Sequence, residues 1–396
     1  MDSLSKLLWL VLGFCLSVFC DELEVPELTI PVIDVSSLYW KSFPNFFMVN
    51  VIEEIGRACR DVGFFYITGL ETQADQDSMD YKMLLAESLW FFSQPLEEKR
   101  KIDMLLGGSA WRGYFGVGDE LTSGFPDQKE GIYFGSESND TTKPLHGLNL
   151  YPTRPYLLEK ADEPSVELNH ILFQESVPRH MAAMKNIASR LMQAIALSLD
   201  LDPATALNFT QPTELFRIFS YPAHNDSFGA ESQGVGEHTD YGYLTILTQD
   251  QHGGLQVRDA QTHEWVDVQP LHNHYVVNLG DALEHYTGGL YRATPHRVVQ
   301  RVGASSPRLS MPYFFDPDFD SEMLSIADQL KPELREKILA RRQNDEYASR
   351  RWDKVDPSRF SGRYGEYLLA KVSKVFPSLF ARFVQATEEP AVKDEL

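Results

Sequence analysis

A run of short β-strand patterns between residues 214 and 315 limits the fold of this chain more than any other sequence feature. Segments rich in β-branched and aromatic residues alternate there with turns that contain glycine, proline or aspartate. About eight such strands, with turn signals about every 8–12 residues, favour a sandwich or a jelly roll. The clearest predicted strands are 215–219, 244–248, 255–257, 265–268, 275–279, 297–299 and 308–315.

Helical patterns flank this region on both sides. Apolar residues recur at intervals close to 3.6 over 46–62 and 175–199, and again over 364–380, which we expect to pack on the outside. The chain is therefore predicted to be mainly β with flanking α-helices. Further predicted elements are strands at 28–34 and 64–68 and a helix at 78–92.

Residues 104–160 contain repeated glycines and several prolines, among them Gly107, Gly108, Gly113 and Gly118. This composition predicts irregular structure. The segment is either a lid over the functional site or an ordinary surface loop, and the sequence leaves both alternatives open.

Two histidines and one aspartate of the strand-rich region form a candidate metal site, here called the metal triad (His238, Asp240 and His296). His238 and Asp240 are two positions apart, and at a strand end both side chains would leave the same face. His296 comes 56 positions after Asp240, and two packed sheets can bring it back to the pair. Two imidazoles and a carboxylate can bind iron(II) on one face and leave the other open. The same ligands do not exclude zinc.

Three further residues, here called the anchor residues (Arg308, Ser310 and Tyr221), can hold a carboxylate. Arg308 and Ser310 are two apart on an extended segment and point the same way. A planar guanidinium matches a carboxylate, and a hydroxyl adds a donor. Such a pair would anchor the far carboxylate of 2-oxoglutarate, whose 2-oxo acid end can occupy two places on iron. Tyr221 adds a hydroxyl, or it is an ordinary core aromatic.

Two residues near these motifs are assigned structural roles. Asp281, directly after Gly280, is assigned to a turn. Cys59 lies in the helical pattern of 46–62 and is predicted to be a buried small hydrophobe.

In this order and spacing, the motifs resemble the isopenicillin N synthase-like family of non-haem iron(II), 2-oxoglutarate-dependent dioxygenases. The resemblance covers about residues 30–380. Plant members often have Asn two positions before the Tyr-Pro pair, where this chain has Phe219. The motifs that carry the resemblance are 30–34, 62–65 and 92–99 in the N-terminal half, and 238–240, 253–257, 278–281, 296–298 and 308–310 in the catalytic half.

The resemblance implies a double-stranded β-helix (jelly roll) core with N-terminal and C-terminal helices. It implies the metal triad as ligands of Fe(2+) and the anchor residues as the site of 2-oxoglutarate, with O2 as the oxidant. The reaction would be hydroxylation, desaturation or ring closure of a small organic substrate, with release of succinate and CO2. Two alternatives stay open: an iron oxidase of the same fold that does not use 2-oxoglutarate, and a non-catalytic luminal binding protein.

The N-terminus predicts a signal peptide over residues 1–20. Lys6 precedes an apolar stretch of 14 residues, 7–20, which is short for a bilayer span of roughly 20 residues. Val18 and Cys20 are small enough for the positions before a cleavage site. The alternative is an uncleaved signal anchor, although no stable membrane span is expected.

The C-terminus predicts the compartment. The last four residues, 393–396, read Lys-Asp-Glu-Leu, the tetrapeptide that the endoplasmic reticulum retrieval receptor binds. With the predicted signal peptide, this motif indicates a protein of the endoplasmic reticulum lumen. The organisation expected between the two signals is an N-terminal region of the oxygenase at 29–160, the jelly-roll core at 210–316 and a C-terminal helical extension at 317–385.

Three N-glycosylation acceptors, Asn139, Asn208 and Asn225, fit a luminal location, and we expect at least one to be modified. The formal net charge is −21, and no dense basic run is present. Nucleic acid is therefore not an expected partner.

Overall fold

The structure, a computed structural model, describes residues 28–39, 46–70, 78–141, 143–153, 173–203, 212–223, 233–300, 306–343 and 361–383. The strands in these ranges are β1 (Val32–Asp34), β2 (Phe64–Thr68), β3 (Gly113–Phe115), β4 (Leu121–Thr122), β5 (Phe125–Pro126), β6 (Glu130–Gly135), β7 (Thr213–Tyr221), β8 (Gln233–His238), β9 (Leu244–Gln249), β10 (Leu255–Arg258), β11 (Trp265–Asp267), β12 (Tyr275–Leu279), β13 (His296–Val299) and β14 (Arg308–Asp316). The α-helices are α1 (Phe46–Asp61), α2 (Met79–Phe92), α3 (Leu96–Lys99), α4 (Phe173–Ser198), α5 (Asp281–Tyr286), α6 (Pro332–Gln343), α7 (Tyr364–Val375) and α8 (Pro377–Phe383).

Two sheets form the centre of the molecule. The major sheet has eight strands in the order β1-β2-β12-β9-β14-β7-β6-β3, and the minor sheet has four in the order β11-β10-β13-β8. β1 and β2 are parallel, and the other neighbours in both sheets are antiparallel. Neighbouring strands come from distant parts of the sequence, as in a jelly roll. The predicted fold class, mainly β with flanking helices around a jelly-roll core, is confirmed.

The major sheet is buried on both faces, and its strands alternate between them. Ile218, Ile246 and Tyr313 belong to the hydrophobic core that contains the buried sides of α1 and α4. The adjacent residues Arg217 and Thr245 line a pocket on the opposite face. Because successive side chains of a strand point to opposite sides, the helical layer and the pocket share the same strands.

The C-terminal helix was predicted correctly as a helix but wrongly as a peripheral one. Tyr367 and Leu368 of α7 are fully buried, and Leu368 and Val375 line the pocket. The helix is held by Asp281, whose Oδ2 accepts hydrogen bonds from Tyr367 (2.7 Å) and Lys371 (3.0 Å). The assignment of Asp281 to a turn is therefore also wrong, because Asp281 is a buried residue in the first turn of α5.

The prediction of irregular structure over 104–160 is wrong in part. β3 and β6 extend the major sheet beside β7, and Ile132 and Phe134 of β6 are fully buried. Glycine is needed in β6 because a Cβ at Gly131 would lie 2.7 Å from a ring carbon of Phe115 and 2.8 Å from one of Phe219. The glycines that indicate a loop in the sequence therefore reflect close packing of aromatic rings.

Strand β8 is absent from the predicted set for the same reason. Gly234 and Gly236 lower its β propensity, yet a Cβ at Gly234 would lie 2.8 Å from the Tyr221 ring. The prediction for Cys59 is confirmed, since its side chain is buried and free of disulfide. Within the described ranges, every helix is too short or too polar to cross a bilayer.

Candidate active site

The two histidines of the metal triad lie on neighbouring strands of the minor sheet. His238 ends β8 and His296 begins β13, and the strand register places them directly opposite each other. Their ring centroids are 4.2 Å apart. Asp240 follows two residues after β8, and its Oδ1 lies 3.8 Å from His238 Nε2 and 3.7 Å from His296 Nε2. All three ligand atoms lie within 4.8 Å of one another.

Backbone carbonyls orient both imidazoles. Nδ1 of His238 lies 2.8 Å from the carbonyl oxygen of Gly236, and Nδ1 of His296 lies 3.1 Å from that of Thr294. If each Nδ1 carries the proton and donates a hydrogen bond to the carbonyl, each Nε2 keeps a free lone pair on the side of Asp240, where a metal ion can bind. Burial, together with the neighbouring His296, lowers the pKa of His238 to about 4. His238 is therefore neutral at physiological pH, as a metal ligand must be.

Asp240 is held as a carboxylate whose second oxygen, Oδ1, is left available for a metal ion. Its Oδ2 accepts hydrogen bonds from Thr245 Oγ1 and from Asn278 Nδ2, the latter at 2.7 Å. Burial opposes ionisation of Asp240, but the two imidazoles and these two donors outweigh it and lower its pKa below the usual range. Oδ1 faces the histidines. The donor set of two imidazoles and one carboxylate on one side fits iron(II) and leaves positions for further ligands.

The anchor residues meet at one end of the pocket. Arg308 and Ser310 are the first and third residues of β14, and Arg308 pairs across the sheet with Tyr221, over whose ring its guanidinium lies at 4.8 Å. Arg308 Nη2 donates to Gln249 Oε1 at 3.0 Å. Its Nε and Nη1 are buried without a hydrogen-bond partner. Because buried donors are rarely left unsatisfied, this guanidinium fits an anion that completes the site.

The pocket connects these two groups. It encloses about 930 Å³ of empty space, part of it open to solvent, between the major and minor sheets. Apolar side chains of both sheets and of α7 supply much of its wall. Its polar lining comprises the metal triad, the anchor residues, Glu120, Thr122, Lys129, Arg217, Tyr241, Thr245, Asn278 and Asp316.

Several of these polar residues were missed in the sequence. Lys129 is fully buried and forms ion pairs with Glu120 (2.8 Å) and Asp127. Both Lys129 and Glu120 belong to the segment that was predicted to be irregular. Arg217 could have been found, because it has the same parity on β7 as Tyr221 and must therefore share its face.

The remaining predicted sites lie elsewhere. Asn139 is exposed in the loop after β6, as an acceptor of glycosylation must be. Asn208 and Asn225 lie outside the described residues, and so do the predicted signal peptide and the C-terminal tetrapeptide.

Two family models match the chain. Residues 206–317 match the model of the 2OG-Fe(II) oxygenase superfamily. Residues 30–154 match a model described as the non-haem dioxygenase in morphine synthesis N-terminal domain. The first match contains the metal triad and all the anchor residues.

Curated relatives match along nearly their whole length. A "probable iron/ascorbate oxidoreductase" of Dictyostelium discoideum is 40% identical over 372 residues, which cover 88% of this chain and 95% of the relative. A 1-aminocyclopropane-1-carboxylate oxidase of Dictyostelium mucoroides is 31% identical over 391 residues, which cover 90% of this chain and 97% of the relative.

A solved structure has the same fold. A full-length protein of Neurospora crassa, crystallised in complex with alpha-KG and thymine, superposes with a TM-score of 0.66 and 23% sequence identity, covering 88% of this chain and 98% of that one. At 23% sequence identity, this similarity shows a shared fold and nothing about the substrate.

Proposed function

The chain belongs to the 2OG-Fe(II) oxygenase superfamily, and we propose that it oxidises a small organic substrate by hydroxylation, desaturation or ring closure. It is a 2-oxoglutarate- and iron(II)-dependent dioxygenase that uses Fe(2+), 2-oxoglutarate and O2. One observation carries the proposal of an active site: three convergent ligand atoms share a pocket with a buried, unsatisfied guanidinium.

Each group of residues has a role in this proposal. The metal triad binds iron through His238 Nε2, His296 Nε2 and Asp240 Oδ1. The guanidinium of Arg308 and the hydroxyls of Ser310 and Tyr221 bind the far carboxylate of 2-oxoglutarate. When bound, iron and 2-oxoglutarate supply the oxidative chemistry, in which 2-oxoglutarate and O2 give succinate and CO2 while the substrate is oxidised.

The apolar lining favours this chemistry. Phe64, Leu247, Leu255 and Val298 belong to the pocket wall and to one continuous hydrophobic cluster. Such a wall excludes water, which strengthens the interaction of Arg308 with an anion and protects a reactive centre from side reactions.

An iron oxidase that does not use 2-oxoglutarate is the second candidate. The relative from Dictyostelium mucoroides, named an oxidase of 1-aminocyclopropane-1-carboxylate, favours it. The two unsatisfied nitrogens of Arg308 favour 2-oxoglutarate instead, because its far carboxylate would accept the hydrogen bonds that they do not make in the protein.

The test is a substrate screen with protein loaded anaerobically with iron(II) and started with O2. We expect succinate to form in proportion to 2-oxoglutarate consumed, and faster with a true substrate. Oxygen uptake without any need for 2-oxoglutarate would identify the oxidase. Failure to bind iron would leave only the non-catalytic binding protein.

The proposed location is the endoplasmic reticulum lumen, with the retrieval receptor as partner. It is supported by the sequence segments 1–20 and 393–396. Deletion of 393–396 should release the protein from cells into the medium. Equal retention of the full-length and deleted proteins would contradict this location.

A further inference from the structure

Arg217 provides a second anion site in the pocket, at some distance from the first. We propose that the substrate oxidised by this enzyme is a small carboxylic acid and that its carboxylate binds the guanidinium of Arg217. This inference rests on the proposed function, since it concerns the substrate end of the same pocket.

Arg217 lies on the same face of β7 as Tyr221 but four residues away, which is about 13 Å along a strand. Arg308 pairs directly with Tyr221 in the register of β14 and β7. The two guanidinium groups therefore enter the pocket at separate positions along the sheet. An anion bound at Arg308 leaves Arg217 free to bind a different one.

Two aromatic rings fix the guanidinium of Arg217. Its Cζ lies 4.1 Å from the centroid of the Tyr133 ring and 4.7 Å from that of Phe314. Tyr133 and Phe314 belong to β6 and β14, the two strands that flank β7. Rings on both sides cover the faces of the guanidinium, so its N–H edge is what remains for a ligand. A planar, two-oxygen acceptor matches that edge best.

Among the residues that the structure describes, no carboxylate forms a salt bridge with Arg217, although Glu120 and Asp240 lie near enough to raise its pKa. Its Nε is buried without a hydrogen-bond partner. The direct contacts of Glu120 are with other residues: its carboxylate pairs with Lys129 at 2.8 Å and accepts a hydrogen bond from the Tyr133 hydroxyl at 2.8 Å.

Asp316, the other nearby carboxyl, also forms no salt bridge with Arg217. Its Oδ2 accepts a hydrogen bond from Tyr364 at 2.6 Å. Burial raises the pKa of Asp316 to about 7, so this carboxyl is substantially protonated near neutral pH. An arginine remains charged at every physiological pH. The buried Nε of Arg217 therefore lacks an acceptor in the protein, and the carboxylate of a substrate would supply one.

The test compares acids with their own amides. Protein loaded with Mn(II) and saturated with 2-oxoglutarate is titrated calorimetrically with small aliphatic and aromatic carboxylic acids and α-amino acids, each paired with its primary amide. We expect at least one acid to bind at least tenfold more tightly than its amide, because the amide lacks the charge and the second acceptor oxygen. The same acid should accelerate succinate formation by the iron(II) enzyme.

Variants assign the effect to one side chain. Arg217→Met should weaken binding of that acid tenfold or more, and Arg217→Lys should give an intermediate value, since it keeps the charge but not the fork. Arg190→Met is the matched control, because Arg190 also lies over an aromatic ring (4.4 Å from Tyr39) but outside the pocket. It should bind the acid as the parent protein does.

The outcomes separate this inference from the proposed function. If the parent protein binds 2-oxoglutarate but no acid of the panel, or binds amides as tightly as acids, the inference is wrong. It is also wrong if Arg217→Met binds both 2-oxoglutarate and the acid with parental affinity. Failure of the parent protein to bind 2-oxoglutarate at all would instead refute the proposed function.

Discussion

The pocket contains two buried aspartates in opposite electrostatic states. Asp240, in the metal triad, accepts hydrogen bonds from two side chains and lies beside two imidazoles, and its pKa is lowered. Asp316, at the end of β14, accepts one hydrogen bond, its other oxygen has no partner, and burial raises its pKa to about 7. Similar burial thus gives a carboxylate in one place and a partly protonated carboxyl in the other, because two imidazoles and two hydrogen-bond donors stabilise the charge of Asp240, whereas only Tyr364 and Arg217 do so for Asp316.

The metal site and the two arginines also differ in how many of their polar atoms have hydrogen-bond partners in the protein. In the metal triad, the polar atoms that do not face the metal position have protein partners, so the ligands are oriented before metal binds. Arg308 keeps two buried nitrogens without a hydrogen-bond partner, and Arg217 keeps one. We infer that the metal site is organised by the protein, whereas the anion sites are completed by their ligands.

Loss of a metal ligand should have the largest effect. His296→Ala should abolish iron-dependent turnover of 2-oxoglutarate, because the two remaining protein ligands bind iron too weakly to form an active site. The protein should still fold, since its core lies mainly on the other face of the major sheet. Succinate assays, bound-iron analysis and circular dichroism check this. Parental turnover in this variant would overturn the assignment of His296.

Removal of a residue that orients a ligand should have a smaller effect. Asn278→Ala leaves Asp240 with one donor fewer and should weaken metal affinity by about 10–100-fold. Competition with a chromogenic chelator measures this. Asn186→Ala, on the exposed side of α4, is the matched control. Equal affinities of the two variants would mean that metal binding by Asp240 does not depend on the hydrogen bond from Asn278.

Loss of an anion anchor should affect 2-oxoglutarate and spare the metal. Arg308→Ala should raise the 2-oxoglutarate concentration needed for half-maximal turnover roughly tenfold or more, since a charge-assisted hydrogen bond contributes about 1.5–3 kcal/mol. Metal affinity without 2-oxoglutarate should not change. A variant with the parental dependence on 2-oxoglutarate would remove the contrast between the two kinds of site.

The sequence predicted the parts of the site that depend on local spacing. His238 and Asp240 are two residues apart, as are Arg308 and Ser310; the strand period fixes the common direction of the second pair within β14, and Asp240 follows directly on the strand end at His238. The structure brings these residues and His296 to one pocket. The buried strand 275–279 was predicted with its observed bounds, because a continuous run of β-branched and apolar residues leaves little ambiguity.

The parts that depend on packing between distant segments were not predicted. Lys129 directly precedes β6, which pairs with β7, and Glu120 is bound to Tyr133 of β6; nothing in the glycine-rich segment 104–160 reveals that pairing. Gly131 and Gly234 make room for aromatic rings from other strands. Each glycine therefore lowers the local β propensity while it permits the packing that stabilises the sheet. Asp281 was misassigned because its partners, Tyr367 and Lys371, come from a helix more than eighty residues later.

The smallest predicted effect tests the protonated state of Asp316. Its pKa is raised from 3.8 to about 7, so between these values the unfolded chain is ionised there while the folded protein keeps the proton. The contribution of Asp316 to the free energy of unfolding should therefore fall as pH rises through this window. Asp316→Asn has no such proton. The free energy of unfolding of Asp316→Asn minus that of the parent protein should therefore rise by about 1 kcal/mol from about pH 5 to about pH 6. Urea denaturation of both proteins with chelator present measures this difference, in which the titration of His180 and other shared groups cancels. Parallel pH dependences would show that Asp316 is ionised in the folded protein, and the contrast with Asp240 would then disappear.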